Sequence, residues 1–206
     1  MKYFICFLLV FLFICCAFDS FENNPDKIDK KILAVSNYRN GEIIPQVTDP
    51  GIWGISLVTF GAWCWYNNDS ATYSGYGKLY NWFAINDSRG LATQGWHIPT
   101  DAEWTTLSTC LGGEDIAGGA LKETDTVHWA SPNTAATNSS GFAGLPGGFR
   151  YINGLYFNIG NFGYWWSSSQ NFTYFGSYYQ LNYNGASVYN SVKDKTSGFS
   201  VRCVRD

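Results

Sequence analysis

Few residues in this sequence have side chains suited to catalysis or metal binding. Beyond the N-terminal segment there are three cysteines, Cys64, Cys110 and Cys203, and two histidines, His97 and His128. The chain has no Cys-x-x-Cys pair and its histidines are far apart, so the spacing excludes a common zinc site. His97 lies within Trp-His-Ile-Pro, which favours a packed, hydrogen-bonded histidine over a catalytic one.

Carboxylates offer a second chemistry, glycoside hydrolysis, which needs two acids facing one cleft. The acid pairs available are Glu114 with Asp115 and Glu123 with Asp125. Both pairs are predicted near a helix end or in a loop, where carboxylates are usually solvated. The sequence therefore predicts no catalytic residue.

Metal and nucleic-acid binding are also disfavoured. Asn67-Asn68-Asp69 and Asn86-Asp87 have oxygen ligands for calcium, but they are ordinary turn residues and we expect turns. The net charge is −3 and no basic block is present, whereas nucleic-acid binding needs clustered Lys and Arg. We predict no metal, no cofactor and no nucleic-acid partner.

The stretch 151–192 departs from the rest of the chain in composition. It contains no Asp, Glu, Lys or Arg, although 14% of the chain is charged, and it holds more than half of the 14 tyrosines. Tyrosine with Asn, Ser and Gly is typical of antibody-like contact surfaces, because Tyr gives rigid contact area and the others give adaptable hydrogen bonds. A plain antiparallel sheet also favours aromatic residues, but it explains the Asn-rich turns less well. We therefore predict a ligand-binding face formed by Asn171, Tyr174, Tyr178, Tyr179, Asn182, Tyr183, Asn184, Tyr189 and Asn190.

Strand alternation divides these residues between two sides of one predicted strand. Tyr179, Leu181 and Tyr183 share one side, and the residues between them share the other. Because Leu181 should face the core, we expect the side that carries Asn182 to be the more exposed. Tyr183 is expected to reach solvent only near the turn.

Local signals predict helices before strands. Thr100-Asp101-Ala102-Glu103 is a capping box, so a helix should begin after Pro99 and end at Gly112-Gly113. A second short helix is predicted over 116–122, weakened by two glycines. Strand-like runs follow at 150–152 and 155–157 around an Asn153-Gly154 turn, and at 164–168, 178–183 and 199–204. This order indicates an α+β fold.

The first residues predict export. A short positive start precedes an apolar run, Phe4 to Ile14, that is too short to span a bilayer and so resembles a signal peptide. We predict a lipoprotein-type signal over 1–16 with lipidation at Cys16, a polar tether over 17–37 and one domain over 38–206. The alternative is cleavage near Ala17 without a lipid. In an oxidising compartment one disulfide is expected among Cys64, Cys110 and Cys203, with the pairing left open.

Five ordered motifs carry a family resemblance. The chain resembles the Fibrobacter succinogenes major paralogous domain from about Tyr38 to Asp206, through Tyr-Gly-Lys-Leu-Tyr-Asn-Trp (76–82), Gly-Trp-His-Ile-Pro-Thr-Asp-Ala-Glu-Trp (95–104), Gly-Phe-Ala-Gly-Leu-Pro-Gly-Gly-Phe-Arg (141–150), Tyr-Trp-Trp-Ser-Ser-Ser (164–169) and Gly-Phe-Ser-Val-Arg-Cys-Val-Arg-Asp (198–206). The resemblance implies a C-type-lectin-like domain with one or two helices and short antiparallel strands, akin to formylglycine-generating enzymes.

The resemblance also implies finer features. It favours a disulfide between Cys110 and Cys203, with Cys64 as the alternative partner of Cys203. The usual first strand of the family is missing or replaced here, which puts the closure of the terminal sheet in question. Some proteins of this fold are targets of diversity-generating retroelements, and scattered Asn, Tyr, Ser and Phe between Ser169 and Asn190 are typical of that output.

These observations predict an exported surface module that binds an extracellular protein or glycan and contacts the membrane only through its lipid anchor. The expected location is the outer membrane or cell surface. The alternative is a carbohydrate-active or protein-modifying enzyme of the same superfamily. We favour the binding module because the region rich in aromatics and amides lacks the titratable groups that a catalytic cleft usually brings.

Overall fold

The structure is a computed structural model that describes residues 33–54, 60–170 and 172–206. The predicted signal peptide, the lipidation site Cys16, most of the predicted tether and Asn171 lie outside the described residues. Among the described residues, no helix has the length and apolar character needed to cross a membrane.

Short elements build the first half of the chain. Strand β1 pairs antiparallel with β2, and the helices between and around them are one turn long. Asp49, Asp69 and Asn81 each cap one of these helices through a side-chain oxygen. The elements are α1 (Pro50–Trp53), β1 (Trp63–Cys64), a 3-10 helix (Tyr66–Asn68), α2 (Ser70–Tyr73), a 3-10 helix (Ser74–Tyr76), β2 (Leu79–Tyr80), α3 (Trp82–Ile85) and β3 (Trp96–His97).

The two longest helices follow, and the first is the helix that the capping box predicts. Helix α4 covers Asp101–Cys110; the Thr100 hydroxyl accepts from the Glu103 backbone N–H, and Glu103 accepts from the Thr100 backbone in return. Helix α5 covers Glu114–Leu121 despite its two glycines. Those glycines allow a close approach, since a Cβ on Gly118 would lie 2.5 Å from the Ser187 carbonyl oxygen and one on Gly119 would lie 2.4 Å from that of Ala135.

Antiparallel strands complete the domain. Strands β4 and β5 form a hairpin, β6, β7 and β8 form a three-stranded sheet in that order, and β9 returns to pair with β3. Their bounds are β4 (Gly147–Arg150), β5 (Tyr156–Ile159), β6 (Phe162–Trp166), β7 (Phe175–Asn182), β8 (Tyr189–Asp194) and β9 (Val204–Arg205). Helices with short antiparallel sheets confirm the α+β class.

Strand β6 of the three-stranded sheet is buried on both sides. On one side Tyr164 and Trp166 pack with Phe199 in the largest buried cluster. On the other side Trp165 packs against Trp104 of α4 and the residues around it. Because strand residues alternate between faces, a strand buried on both sides needs large apolar residues at successive positions. The consecutive tryptophans of the 164–169 motif follow from this arrangement.

Two buried cations, Lys122 and Arg150, join loops to the core, and neither forms an ion pair with a described carboxylate. The Lys122 ammonium donates to the carbonyl oxygens of Thr134, Asn182 and Gly185 at 2.7–3.0 Å. The Arg150 guanidinium donates to Val47 and two further carbonyls and lies over an indole ring. Backbone carbonyls and ring faces supply the negative potential that a buried cation needs.

Several predicted boundaries are corrected. Leu33 lies in the largest buried cluster and the Val35 carbonyl accepts from Lys78 and Tyr80, so the packed domain begins before residue 38. The predicted strand 199–204 is interrupted, because Phe199 and Ser200 bond to separate strands before β9 begins. Strand β8 was not predicted, since its exposed polar residues lack an apolar alternation.

Candidate functional site

The predicted binding residues lie on two opposite sides of the β6-β7-β8 sheet. The register pairs Tyr178 with Ser191, and Gln180 with Tyr164 and Tyr189. These residues share one side of the sheet. Tyr179 and Asn190 are paired on the opposite side. The predicted set is therefore not one continuous surface.

Tyr179 is a core residue and not a surface contact. It is only 2% exposed, and its ring is stacked on Trp104 with centroids 4.7 Å apart. Its hydroxyl donates to the Asp101 carbonyl oxygen at 3.2 Å. Its assignment to the binding face is wrong, because it shares the side of β7 that Leu181 directs into the core.

Three predicted residues surround the turn that follows β7. Tyr183 is half-buried and packs against the cluster that contains Trp104, whereas Asn184 is exposed and Asn182 is half-buried. The turn is held by backbone bonds from Tyr183 to Asn161 and from Thr134 to Tyr183, in addition to the Lys122 bonds. Tyr183 therefore reaches solvent only in part, as the alternation predicts.

Tyr174 stands apart from the sheet. It lies in the loop before β7 and is 74% exposed, and Phe172 and Phe175 beside it are also exposed. The loop is fastened by Lys195, whose ammonium donates to the Thr173 carbonyl oxygen and whose backbone N–H donates to that of Tyr174.

A surface of half-buried and exposed side chains lies on the Tyr178 side of the sheet and extends onto the β4–β5 hairpin, and its residues Phe149, Phe162 and Tyr178 also pack against the largest buried cluster. We name this surface the aromatic face. Its side chains are half-buried or exposed, and the most exposed rings are Tyr189 at 50% and Phe157 at 40%. It consists of Phe149, Tyr151, Phe157, Phe162, Tyr178, Gln180, Asn182, Tyr189, Ser191 and Lys193.

Ring contacts connect the two parts of the aromatic face. Phe149 is in contact with Phe157 (centroids 5.6 Å apart) and with Tyr151 (6.4 Å). It also contacts the buried Tyr164 at 5.1 Å, and Tyr164 contacts Tyr178 at 5.8 Å. Tyr164 thus lies beneath the surface and supports rings on both sides.

The supporting layer is rigid and uncharged. Tyr164 is stacked on Phe199 at 5.2 Å, and its hydroxyl accepts a hydrogen bond from the Asn158 amide at 2.7 Å. Burial raises the pKa of Tyr164 to about 12, so the phenol is neutral at physiological pH. Close packing of large rings leaves the exposed aromatics little freedom, which lowers the entropy lost on binding.

The predicted set lacked seven members of the aromatic face: Phe149, Tyr151, Phe157, Phe162, Gln180, Ser191 and Lys193. The sequence did contain a signal for Phe157. The Asn153-Gly154 turn sets the register of the hairpin, and this register pairs Phe157 with Phe149. Lys193 was not included in the predicted binding face, because it lies just beyond the uncharged stretch 151–192. Its ammonium lies 5.0 Å from the Tyr151 ring centre and 5.6 Å from that of Phe149.

The residues considered for catalysis are held in structural bonds. His97 bonds to Glu103 through Nε2 at 2.6 Å and to Asp206 through Nδ1 at 2.7 Å. It is therefore hydrogen-bonded as expected, although it is half-exposed and not packed in the core. Partial burial lowers the pKa of His97, but the bonds to both carboxylates outweigh this and raise it above its ordinary value.

The candidate acids lie in a hydrogen-bonded loop or at the start of a helix. Glu123 bonds to Nδ1 of His128 at 2.7 Å, and Asp125 accepts from the Val127 backbone. Glu114 and Asp115 form the first turn of α5.

The candidate calcium ligands lie in a 3-10 helix, at a helix cap and in a turn, and several of their side chains have protein partners. Asp69 caps α2, Asn68 accepts from the Tyr156 hydroxyl, and Asp87 binds Arg89. Among the described residues, no group of three or more His, Cys, Asp or Glu side chains is arranged to hold a metal ion.

The predicted disulfide between Cys110 and Cys203 is not present in the structure. Cys203 is buried in the largest cluster, whereas Cys110 is half-buried at the end of α4, whose apolar residues belong to the second cluster. Cys64, the alternative partner, is buried in a third cluster. Burial raises the pKa of the Cys64 thiol to about 11, so it is not a thiolate nucleophile near neutral pH.

The fold and this surface define an α+β domain that presents exposed aromatic rings in an almost uncharged setting. The family model of the Fibrobacter succinogenes major domain matches residues 31–205. The chain belongs to this family. Comparison with curated proteins gave no match, and comparison with solved structures gave none either.

Proposed function

We propose that this chain is an exported binding module that captures an extracellular ligand, a protein or a glycan, on its aromatic face. One observation carries the proposal: Phe149, Tyr151, Phe157 and Tyr178 are joined through ring contacts and remain partly open to solvent. Exposed apolar patches of this kind on a folded domain mark interaction sites.

The chemistry of the face fits recognition better than catalysis. Aromatic rings supply contact area, and Gln180, Asn182 and Ser191 supply hydrogen-bonding groups between them. The stretch 151–192 brings no acid or base to the surface. The alternative function, a carbohydrate-active or protein-modifying enzyme, requires a general acid or a reactive cysteine at the ligand.

Two further parts of the proposal concern context. We propose a C-type-lectin-like fold, which is supported by the family membership and by the return of β9 to pair with β3 in the middle of the chain. We also propose that exposed positions between Ser169 and Asn190 are diversified. The coding DNA tests this, because a neighbouring reverse transcriptase and a near-repeat of this segment are expected.

Alanine variants on and off the aromatic face test the function. The purified domain is applied to a printed glycan array and to an array of purified extracellular proteins. Phe157→Ala and Tyr189→Ala should each weaken binding to the recognised ligand at least tenfold, because truncating a central aromatic contact costs about 2 kcal/mol. Ile52→Ala, which truncates an apolar residue elsewhere that is about as exposed (49%) as Tyr189, should leave binding unchanged.

The same variants separate the two function classes. If Phe157→Ala and Tyr189→Ala bind as the unchanged protein does, the aromatic face is not the site. If the bound ligand is turned over, and Glu114→Gln or Asp125→Asn abolishes turnover while the aromatic variants retain it, the protein is an enzyme.

A further inference from the structure

We infer that the ligand of the aromatic face is an acidic glycan, whose carboxylate is bound by Lys193. The inference rests on the proposed function and adds the chemical class of the ligand. The evidence for the inference is the charge of the aromatic face, the size of the aromatic face and the residues that surround Lys193.

Lys193 differs from the other lysines that the structure describes. The ammonium groups of Lys78, Lys122 and Lys195 all donate to backbone carbonyls. No described residue accepts a hydrogen bond from the Lys193 ammonium or forms an ion pair with it. Its contacts are the faces of Tyr151 and Phe149, which leave three N–H donors for a ligand.

The surroundings of Lys193 favour an anion. No acidic residue occurs over 151–192, the stretch that supplies the rest of the face except Phe149. Asp194 follows on β8, and strand alternation places it on the opposite side of the sheet, where its carboxylate accepts from Thr196. A cation that forms no ion pair with a described residue gives the face a positive potential, and this potential complements a negatively charged ligand.

The size of the face favours a glycan over a folded protein. A standard protein–protein interface takes about 20–30 residues from each partner. The aromatic face has no more than half that number, and its amides are spread among the rings. An oligosaccharide of a few units suits this arrangement, because the C–H face of a pyranose ring packs on an aromatic ring while its hydroxyls reach side-chain amides.

The parts of the face match the parts of an acidic sugar. The half-exposed rings of Phe149, Tyr151 and Phe157 give a surface for the pyranose, and Lys193 stands above two of them. A carboxylate on a sugar seated there lies within reach of the ammonium. The charged contact would set specificity for acidic over neutral sugars, and the rings would contribute contact area.

Binding to three acidic polymers tests the inference. Polygalacturonate, alginate and hyaluronan are each titrated against the purified domain. The neutral control is methyl-esterified polygalacturonate, which keeps the sugar and loses the charge. We expect at least one acidic polymer to bind, with tenfold or greater weakening on esterification in the case of polygalacturonate. Binding should also weaken as sodium chloride rises from 50 to 500 mM, because salt screens exposed charges.

Variants of Lys193 test whether its charge is responsible for the binding of the acidic polymer. Lys193→Gln should weaken binding of the acidic polymer at least tenfold and remove most of the salt dependence, whereas Lys193→Arg should retain most of both. Arg205→Gln, which removes an exposed cation from β9, should have no effect.

Several results would overturn the inference. They are failure of all three acidic polymers to bind, equal binding of the acidic and esterified polymers, and unchanged binding by Lys193→Gln. A protein ligand that depends on Phe157 and Tyr189 would overturn the glycan assignment and leave the proposed function intact. The proposed function itself fails if the aromatic variants keep full binding, or if the ligand is turned over by an enzyme that depends on Glu114 or Asp125.

Discussion

The phenol ring of Tyr179 lies almost parallel to the indole of Trp104, with an interplanar angle of 13° and centroids 4.7 Å apart. This contact joins the central strand of the three-stranded sheet to helix α4. It also separates Tyr179 from its neighbour Tyr178, which lies on the aromatic face. Two adjacent tyrosines therefore have different roles, one in the core and one at the proposed binding surface.

The first prediction compares core and surface tyrosines. Tyr179→Ala should lower the free energy of unfolding by about 3–5 kcal/mol, because it removes a stacked ring and leaves a cavity. Tyr189→Ala should change it by less than about 0.5 kcal/mol, since Tyr189 is half-exposed on the edge strand. Urea unfolding of both variants measures the difference. Equal losses would mean that Tyr189 also belongs to the core.

A second prediction concerns the glycines of helix α5. Gly to Ala in a helix usually stabilises by up to about 1 kcal/mol. Gly118→Ala should instead destabilise by about 1–3 kcal/mol, because the new methyl group would meet the Ser187 and Ala186 carbonyls. Gly75→Ala is the control: nothing lies within 4 Å of its Cβ position, so this variant should be neutral or stabilising. The midpoint temperature of thermal unfolding should fall in Gly118→Ala. It should stay unchanged or rise in Gly75→Ala.

The third prediction concerns the buried ammonium of Lys122. Lys122→Met should cost about 3 kcal/mol, because three carbonyl oxygens lose their donor in a buried site. The turn around Tyr183 and Gly185 should exchange its amide hydrogens faster in the variant, which hydrogen-exchange mass spectrometry detects. Lys193→Met serves as the control and should leave the unfolding free energy nearly unchanged. If the amide hydrogens of this turn exchange as slowly in Lys122→Met as in the unchanged protein, the role assigned to the ammonium is wrong.

The fourth prediction is a pH dependence set by His97. Its pKa is raised in the folded protein, so its contribution is present in full below the unfolded value of about 6.5 and is lost as pH rises through the folded value. The free energy of unfolding should therefore fall more between pH 5.5 and 8.5 in the unchanged protein than in His97→Gln. The effect is small because both carboxylate partners are exposed to water.

Between pH 5.5 and 8.5 the protonation of His97 changes whereas that of its partner Glu103 does not. Partial burial raises the pKa of Glu103, but hydrogen bonds from Thr100 and His97 outweigh this and lower it. Glu103 thus stays ionised throughout the range and loses its contribution only at more acidic pH. Identical pH profiles for the protein and His97→Gln would show that the bonds to Glu103 and Asp206 do not affect stability.

The fifth prediction concerns the N-terminal segment, which lies outside the described residues. Cys16→Ser should release the protein from the envelope into the medium, because a multiply acylated cysteine is the proposed anchor and each buried methylene contributes about 0.8 kcal/mol. Mass spectrometry of the mature N-terminus provides the direct measurement. A free amine at Ala17 or a later residue would show that the signal peptide is cleaved there and that no lipid is attached.

Local chemistry was sufficient to predict individual elements and the fold class. The capping box at Thr100 and Glu103 depends on residues three apart, and the Asn153-Gly154 turn depends on adjacent residues. The α+β class followed from the order of such signals, and the family followed from motifs that are contiguous in the chain. Each individual signal or motif lies within about ten consecutive residues.

Which tyrosines reach solvent was decided by tertiary structure. Aromatic composition correctly marked 151–192 as unusual, but the same residue type fills the core at Tyr179 and forms the surface at Tyr178 and Tyr189. Strand β6 is buried on both sides whereas β8 is exposed, so exposure depends on what packs over each strand and not on alternation alone. Phe149 and Phe157 join the aromatic face because the hairpin pairs them beside the sheet, and Lys193 joins it because β8 aligns with β7. Those contacts link residues far apart in sequence, and only the packed chain brings them together.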